Sequence, residues 1–504
     1  VAAAAVVAAM LSAGWAAAAP PNIVFIFSDD HAFQAVGAYG SNINQTPNID
    51  RIANSGMRFD RCYVTNSICG PSRACILTGK YSHKNGFRTN NDRFDASQPT
   101  FAKQMQGAGY QTAMIGKWHL VSDPVGFDHW DILPGQGRYY SPEFITPAGR
   151  NVEQGYVTDV ITDKALAWLK NDRQSDRPFV LMMQHKAPHR SWEPGPEHVG
   201  DGKGKTIPEP ETLFDDYQNR SDAARTATMR ISQNMNPASD LMVFTPDSPR
   251  GKKFFKLTPE GTQQAWSDAY SEENAAYMAD PPVGDAKTRW NYQRYLRNYL
   301  ACVARVDDSV GRVLDYLDQS GLAENTIVIY CSDQGFYLGE HGWYDKRFMY
   351  EQSLRTPLLV RWPGVVEPGS VCEQIASNVD LAETFLDAAG LPIPKDMQGR
   401  SLTPLLQGET PDDWRKTFYY HYYEGPPAVH TVEQHCGVTD GRYKLIHFYT
   451  IGQWELFDLQ EDPNEIRSVY DDPAYAGHQE RLKKELKRLQ TELEVPAIAA
   501  APLR

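Results

Sequence analysis

Cys69-Gly70-Pro71-Ser72-Arg73, continued by Ala-Cys-Ile-Leu-Thr78-Gly79-Lys80, is the segment most directly suited to chemistry. Pro71 fits a first helical turn. Cys69 then lies near a helix N-terminus, where free N–H groups and the helix dipole favour negative charge. Arg73 points back over the same turn. One reading is a nucleophile beside an anion pocket. The other is a buried structural cysteine beside a solvated arginine, and spacing alone does not separate them. Further reactive side chains follow apolar runs: Asp29 and Asp30 after residues 22–27, Lys117 and His119 after 110–115, His185, Lys186 and His189 after 179–184, and Asp333 and Gln334 after 326–331.

Those runs are rich in β-branched and aromatic residues, as buried parallel strands are. Open α/β sheets place ligands at the carboxyl ends of such strands. Helical patterns alternate with them at 48–56, 71–79, 100–109, 159–169, 290–319 and 381–389, and further strands are read at 57–63 and 358–362. The alternation predicts an α/β class: a large, doubly wound, mostly parallel sheet flanked by helices. Residues 190–285 are polar and rich in Pro, Asp and Gln, and read as a long insertion with short helices. After about 410 the texture changes. Aromatic strands at 418–423, 443–449 and 454–459, separated by turn residues, predict a small antiparallel sheet, and 480–493 a charged terminal helix. The domain reading is therefore a catalytic α/β unit over 20–410 and a C-terminal antiparallel-sheet subdomain over 411–504.

The chain of 504 residues carries 50 Lys and Arg against 63 Asp and Glu, a net charge of −13. That balance excludes nucleic acid as a bulk-charge partner, so an anionic substrate needs a local cluster of cations. With 41% hydrophobic and 22% charged residues the composition is globular, not disordered. Residues 1–19 contain no charge, are mostly alanine and end at Pro20-Pro21. They read as a secretory signal lacking its usual basic start, which predicts an exported, periplasmic or secreted protein without stable membrane insertion. There are seven cysteines (62, 69, 75, 302, 331, 372 and 436), without zinc-type spacing. In an exported protein the odd count leaves one needing a separate role.

C-x-P-S-R followed by L-T-G resembles the signature of type I sulfatases, in the alkaline phosphatase superfamily. The resemblance runs from Asn22 to about Leu459 and rests on several separate blocks. It implies that Cys69 is oxidised to formylglycine by a separate maturing enzyme, which accounts for the odd cysteine. Asp29-Asp30 and Asp333-Gln334 resemble the family's two pairs of metal ligands, with position 69 also touching the ion. Gln334 departs from the usual Asn or His. Three carboxylates and an amide oxygen suit Ca²⁺, or Mg²⁺, over zinc. Gly116-Lys117-Trp118-His119 resembles the block whose Lys and His touch sulfate, His189 the active-site histidine of the A-P-H block, and Lys346 the late lysine at the leaving oxygen. His185, Lys186 and Arg347 read first as satisfied structural groups. His185, Arg190, Arg347, His430 and His435 are carried as candidate substrate contacts.

The implied reaction is sulfate ester hydrolysis. One hydroxyl of the hydrated aldehyde attacks sulfur in line, assisted by the metal and Asp333 and steadied by Arg73. Lys346 and His189 neutralise or protonate the departing alkoxide. The second hydroxyl then loses its proton to His119 and sulfate is expelled. The export signal and the aromatic C-terminal sheet suggest a sulfated saccharide, of the kind taken by bacterial exo-acting carbohydrate sulfatases. Trp192, Tyr422 and Tyr423 are candidate stacking rings, and His421 a further rim residue. Two other readings stand beside this one: a phosphonate or phosphate ester hydrolase of the same superfamily, and a sulfated-glycan binder in which Cys69 remains a thiol. Cys69→Ala and Cys69→Ser are both expected to abolish normal turnover of a sulfated substrate; wild-type-like sulfate release by Cys69→Ala would refute the assignment.

Overall fold

A computed structural model describes residues 19–498. Of the segment read as a signal, all but Ala19 lies outside them. The frame is a ten-stranded mixed sheet in the order Ser370–Cys372, Met57–Phe59, Leu358–Arg361, Thr326–Ser332, Asn22–Ser28, Phe179–Gln184, Gln111–Lys117, His129–Leu133, Glu143–Thr146, Gly149–Val152. The Thr326–Ser332, Asn22–Ser28, Phe179–Gln184, Gln111–Lys117 and His129–Leu133 strands run parallel. The flanks turn antiparallel, at Leu358–Arg361 on one side and Glu143–Thr146 on the other.

The apolar runs are continuous because both faces of the sheet are covered. Val24 and Ile26 join a core with Val306, Val310 and Leu314 of the Gly284–Gln319 helix. Ile23, Phe25 and Phe27 join an opposite core with Phe101, Leu381 and Phe385. Register then brings the chemistry to one level. Ser28 lies opposite Ser332, Phe27 opposite Gln184, and Gly116 opposite Gln184. Past the sheet edge the tips remain laced by backbone bonds: Asp333 N–H donates to Ser28 O at 3.1 Å, and Asp29 N–H to Ala187 O at 3.3 Å.

Phe418–Tyr422, His435–Thr439, Tyr443–Phe448 and Gln453–Asp458 form a second, antiparallel sheet. The Ala476–Glu492 helix covers it with Leu482, Leu486 and Leu489. Sequence reading missed the His435–Thr439 strand, whose alternation is interrupted by Gly437. It also read residues 57–63 as one strand. Met57–Phe59 lies in the large sheet, while Cys62–Tyr63 pairs with Ala376–Ser377. The insertion is more helical than expected. It contains the 20-residue Glu260–Ala279 helix, and the Gly284–Gln319 helix starts inside it. Trp266, Tyr270 and Asn274, one turn apart, are the buried stripe that the polar composition hid. Among the described residues no helix is long and apolar enough to cross a membrane.

One glycine is dictated by close approach. Gly116 has φ +111°, and a Cβ there would sit 1.9 Å from Gln184 O. Gly116→Ala is expected to lower the unfolding free energy by about 3 kcal/mol in chemical denaturation; unchanged stability would contradict this account of the strand contact.

Candidate active site

Cys69 opens a ten-residue helix, Cys69–Thr78, every residue of which is buried. Gly79 closes it in the left-handed region. Ser72 locks the helix to a sheet tip, its hydroxyl donating to Asp333 O at 2.5 Å and accepting from Asn378 Nδ2 at 2.9 Å. Gly70 N–H donates to Asn90 Oδ1 at 3.0 Å. Pro71 is the third helical residue, so the sequence reading placed the helix start two residues late.

Asp29, Asp30 and Asp333 bring carboxylate oxygens within 4.8 Å of one another, and Asp29, Cys69 and His189 form an overlapping group. Three cations face the three acids. Lys346 Nζ lies 2.6 and 2.8 Å from the Asp30 oxygens and 3.5 Å from Cys69 Sγ. Arg73 Nη2 lies 3.1 Å from Asp333 Oδ2 and 3.5 Å from Asp29 Oδ2. Lys117 Nζ abuts Asp29 Oδ2 and donates to Gln136 Oε1 at 2.5 Å. Arg73 also donates to Lys117 O at 2.7 Å and to the Gln184 amide, with its guanidinium 4.9 Å over the Phe27 ring.

The donor set fits a hard cation. Neither Asp29 oxygen accepts a hydrogen bond of normal geometry, and Gln334 Oε1 has no partner. Gln334 Nε2 bridges Asp30 Oδ1 at 2.5 Å and Asp333 Oδ1 at 2.7 Å. A flip of that amide points its oxygen between the carboxylates instead. Asp29, Asp30, Asp333 and Gln334 would then offer only oxygen ligands, as Ca²⁺ and Mg²⁺ require. The backbone of Asp30 is set for this: φ is +65°, its N–H donates to Asp333 Oδ1 at 3.0 Å, and its carbonyl accepts from Tyr299 Oη of the long helix at 2.7 Å.

Burial dominates the ionisation of the site. It pushes the Cys69 thiol up to about 12, so an unmodified Cys69 is a neutral thiol near pH 7. It also lifts Asp30 to about 6, against the pull of Lys346. Burial opposes the Lys346 charge, but the carboxylates of Asp30 and Asp345 outweigh it and hold that ammonium above the usual lysine range. His119 and His189 are driven well down, by burial first and then by Lys117 and other neighbouring cations. Both are neutral imidazoles. His189 Nδ1 lies 2.7 Å from Arg190 O. A carbonyl can only accept, so Nδ1 carries the proton and Nε2, 3.8 Å from Asp30 Oδ2, is an acceptor.

The structure thus gathers Asp29, Asp30, Cys69, Arg73, Lys117, His189, Asp333, Gln334 and Lys346 at one place. His119 lies across Gly70, its carbonyl 3.1 Å from where a Cβ there would fall. Beside Lys346, Arg347 contacts Asp345 Oδ1 and Glu424 Oε2, both at 3.0 Å, and His430 Nε2 contacts Asp345 Oδ2 at 3.2 Å. The other candidates have structural partners. His185 faces the long helix, 3.2 Å from Ser309 Oγ. Arg190 makes a two-pronged pair with Asp240, at 2.6 Å on each side. His435 is enclosed by Phe348, Tyr420, Tyr422 and Phe448. Trp192 and Tyr422 are fully buried, so they cannot stack on a sugar; Trp192 packs on Tyr295 instead. His421 is buried between Tyr419 and Tyr449. Sequence reading missed Gln136, Gln184, Asp345, Glu424 and Asn90. Asp345, Gln184 and Glu424 adjoin residues already marked; nothing in the sequence singles out Gln136 or Asn90.

The sulfatase family profile matches residues 21–391, and that of the N-sulphoglucosamine sulphohydrolase C-terminal region matches 339–492. The chain is 49% identical over 482 residues to an N-acetylglucosamine-6-O-sulfatase of Bacteroides thetaiotaomicron, covering 93% of this chain and 86% of that protein. It is 27% identical over 429 residues to the human N-acetylglucosamine-6-sulfatase, covering 80% and 67%. A structure solved in complex with its substrate D-glucosamine-2-N,6-O-disulfate superposes with a TM-score of 0.93 at 48% identity, over 95% of this chain and 99% of that one. A phosphonate monoester hydrolase from Silicibacter pomeroyi shares the fold, with a TM-score of 0.72 at 23% identity over 94% and 95%. A profile match over most of the chain, together with a relative at nearly half identity along almost its whole length, places this protein in the sulfatase family.

Proposed function

We propose that this sulfatase removes the 6-O-sulfate of a glucosamine unit in an exported setting, using formylglycine made from Cys69 by a maturing enzyme and one bound calcium. The relative and the substrate complex above support the sugar and the position. The observation that carries the chemistry is Lys346 Nζ, which lies within hydrogen-bonding distance of both Asp30 and Cys69 Sγ.

When present, the aldehyde hydrate supplies a hydroxyl nucleophile, and the cation supplies Lewis-acid polarisation of the sulfate. The remaining work belongs to fixed side chains. Arg73 and Lys117 hold sulfate oxygens by charge in a dry site, where such contacts stabilise developing charge strongly. Lys346, whose ammonium Asp30 keeps charged, is placed to neutralise the leaving sugar oxygen. His189 Nε2 is an acceptor at rest, held neutral by burial and the neighbouring cations, so Lys346 is the better placed of the two to supply positive charge at that oxygen. Beside Lys346, Arg347 is tied to Asp345 and Glu424, and His430 to Asp345. A chain whose Cys69 is not converted would bind a sulfated sugar without turning it over, because its thiol stays protonated.

Three outcomes are expected. Sulfate release should be faster from glucosamine 6-sulfate than from galactosamine 6-sulfate, which differs at O4; the reverse preference would remove the proposed sugar. Lys346→Ala should lower kcat about 100-fold on the sugar sulfate and much less on an aryl sulfate with an acidic leaving group; equal losses would deny Lys346 its place at the leaving oxygen. Chelation should abolish turnover, with recovery on added Ca²⁺; full activity in metal-free protein would refute the bound cation.

A further inference from the structure

Lys186 lies just past the tip of the Phe179–Gln184 strand and takes no part in the scheme above. It is buried, and it is the exception among buried cations. Among the described residues, every other buried lysine or arginine is ion-paired with a carboxylate. Lys444, for example, sits between Glu351 at 2.8 Å and Glu465 at 2.6 Å. Lys186 has no such partner. Glu193, a neighbouring acid that favours its charge, is tied to Arg250 at 2.5 Å. A charge in a dry interior is costly without an opposite charge beside it, and burial pulls the Lys186 ammonium down to about 8. An apolar side chain would fill the same space without that penalty, so the ammonium needs a role.

Its contacts all lead to His189. Lys186 Nζ donates to Arg190 O at 3.2 Å, and the same carbonyl accepts from His189 Nδ1 at 2.7 Å. A carbonyl oxygen has two lone pairs, so the ammonium and the imidazole can both bind it. The ammonium also lies 4.7 Å over the ring of Tyr139, whose Oη donates to His189 O at 2.6 Å. His189 N–H donates to Lys186 O at 3.0 Å. The side chain of Arg190 is anchored separately, by Asp240. Every polar atom of His189 except Nε2 is therefore engaged. Nε2 lies 3.8 Å from Asp30 Oδ2, and a ring nitrogen of His189 is within 4.8 Å of both Asp29 and Cys69.

A charged donor suits this position. Hydrogen bonds from an ammonium are about twice as strong as neutral ones, and the Tyr139 face holds the ammonium in place. Without it, the Arg190 carbonyl would keep only the imidazole as a side-chain donor, and the two could move together.

Resting on the function proposed above, we infer that Lys186 is a positioning residue for His189: its ammonium fixes the Arg190 carbonyl, so that the imidazole keeps one orientation and presents the Nε2 lone pair to the reacting centre. Lys186 itself touches no reacting atom.

The test is a double-variant cycle. Lys186→Met keeps the length of the side chain and removes the charge. It should lower kcat on glucosamine 6-sulfate about tenfold and leave KM within about twofold. Lys186→Arg, which can still donate to the carbonyl, should recover part of the loss. If Lys186 acts through His189, the double variant Lys186→Met, His189→Ala is no slower than His189→Ala alone. Losses that multiply, or no loss with Lys186→Met, overturn the positioning role. A second arm reads the imidazole without substrate. In protein labelled with ¹⁵N-histidine, the ring signals missing from His189→Ala belong to His189. The wild type should show a neutral ring with Nδ1–H protected from exchange with water, and Lys186→Met should speed that exchange about tenfold. If no sugar sulfate is hydrolysed but the exchange responds to Lys186→Met, the activity proposed above falls and the positioning role stands. If hydrolysis proceeds and neither kcat nor exchange responds, the positioning role falls and the activity stands.

Discussion

Three carboxylates within 4.8 Å of one another, away from water, repel each other and carry a large desolvation cost. Everything about the centre of this protein answers that constraint. Arg73 and Lys346 set positive charge against the acids, Lys117 sits against Asp29 although burial pushes its ammonium well below the usual lysine range, and Gln334 bridges two of the acids. The arrangement is also poised for exchange. The amide of Gln334 can present either its donor or its acceptor, and the lysines and arginine that shield the acids are the groups best placed to take sulfate oxygens once a dication takes over that shielding. In the proposed reaction the same charges would both shield the acids at rest and recognise the substrate.

Such a cluster is tenable only on a rigid support. The central strands are buried on both faces and aligned so that their tips emerge together, with Ser28 opposite Ser332 and Gly116 opposite Gln184. Close approach at Gly116 keeps Lys117 against the neighbouring strand. Tyr299, reaching from the long helix, fixes the Asp30 carbonyl, and Ser72 ties the Cys69 helix to Asp333. Widely separated parts of the chain therefore meet with little freedom, which is the condition for charge preorganisation.

Much of this was legible in the sequence. Continuous apolar runs ending in Asp29, Asp333, Lys117 and His185 announced the parallel strands and the side on which the chemistry collects, because burial on both faces leaves an unmistakable pattern. The C-P-S-R block marked the helix that carries Cys69. The supporting residues were harder to see. Asn90, Gln136 and Glu424 matter through partners far away in sequence, and no local pattern records such a contact. His435 and Trp192 look like recognition residues by type, yet both fill the interior. Arg190 looks like an anion contact, yet Asp240, on a short helix inside the insertion, claims it. The Glu260–Ala279 helix escaped notice because its buried stripe is narrow and its remaining surface is polar.

The proposed reaction depends on position 69 as the home of the reacting atom in a sulfate-hydrolysing pocket. The most direct measurement pairs peptide mass spectrometry of that position with turnover, on preparations that differ in the extent of Cys69 conversion. Sulfate release per molecule should rise in proportion to the aldehyde fraction and extrapolate to zero for protein that is entirely thiol. Turnover that does not vary with the aldehyde fraction would contradict the central claim.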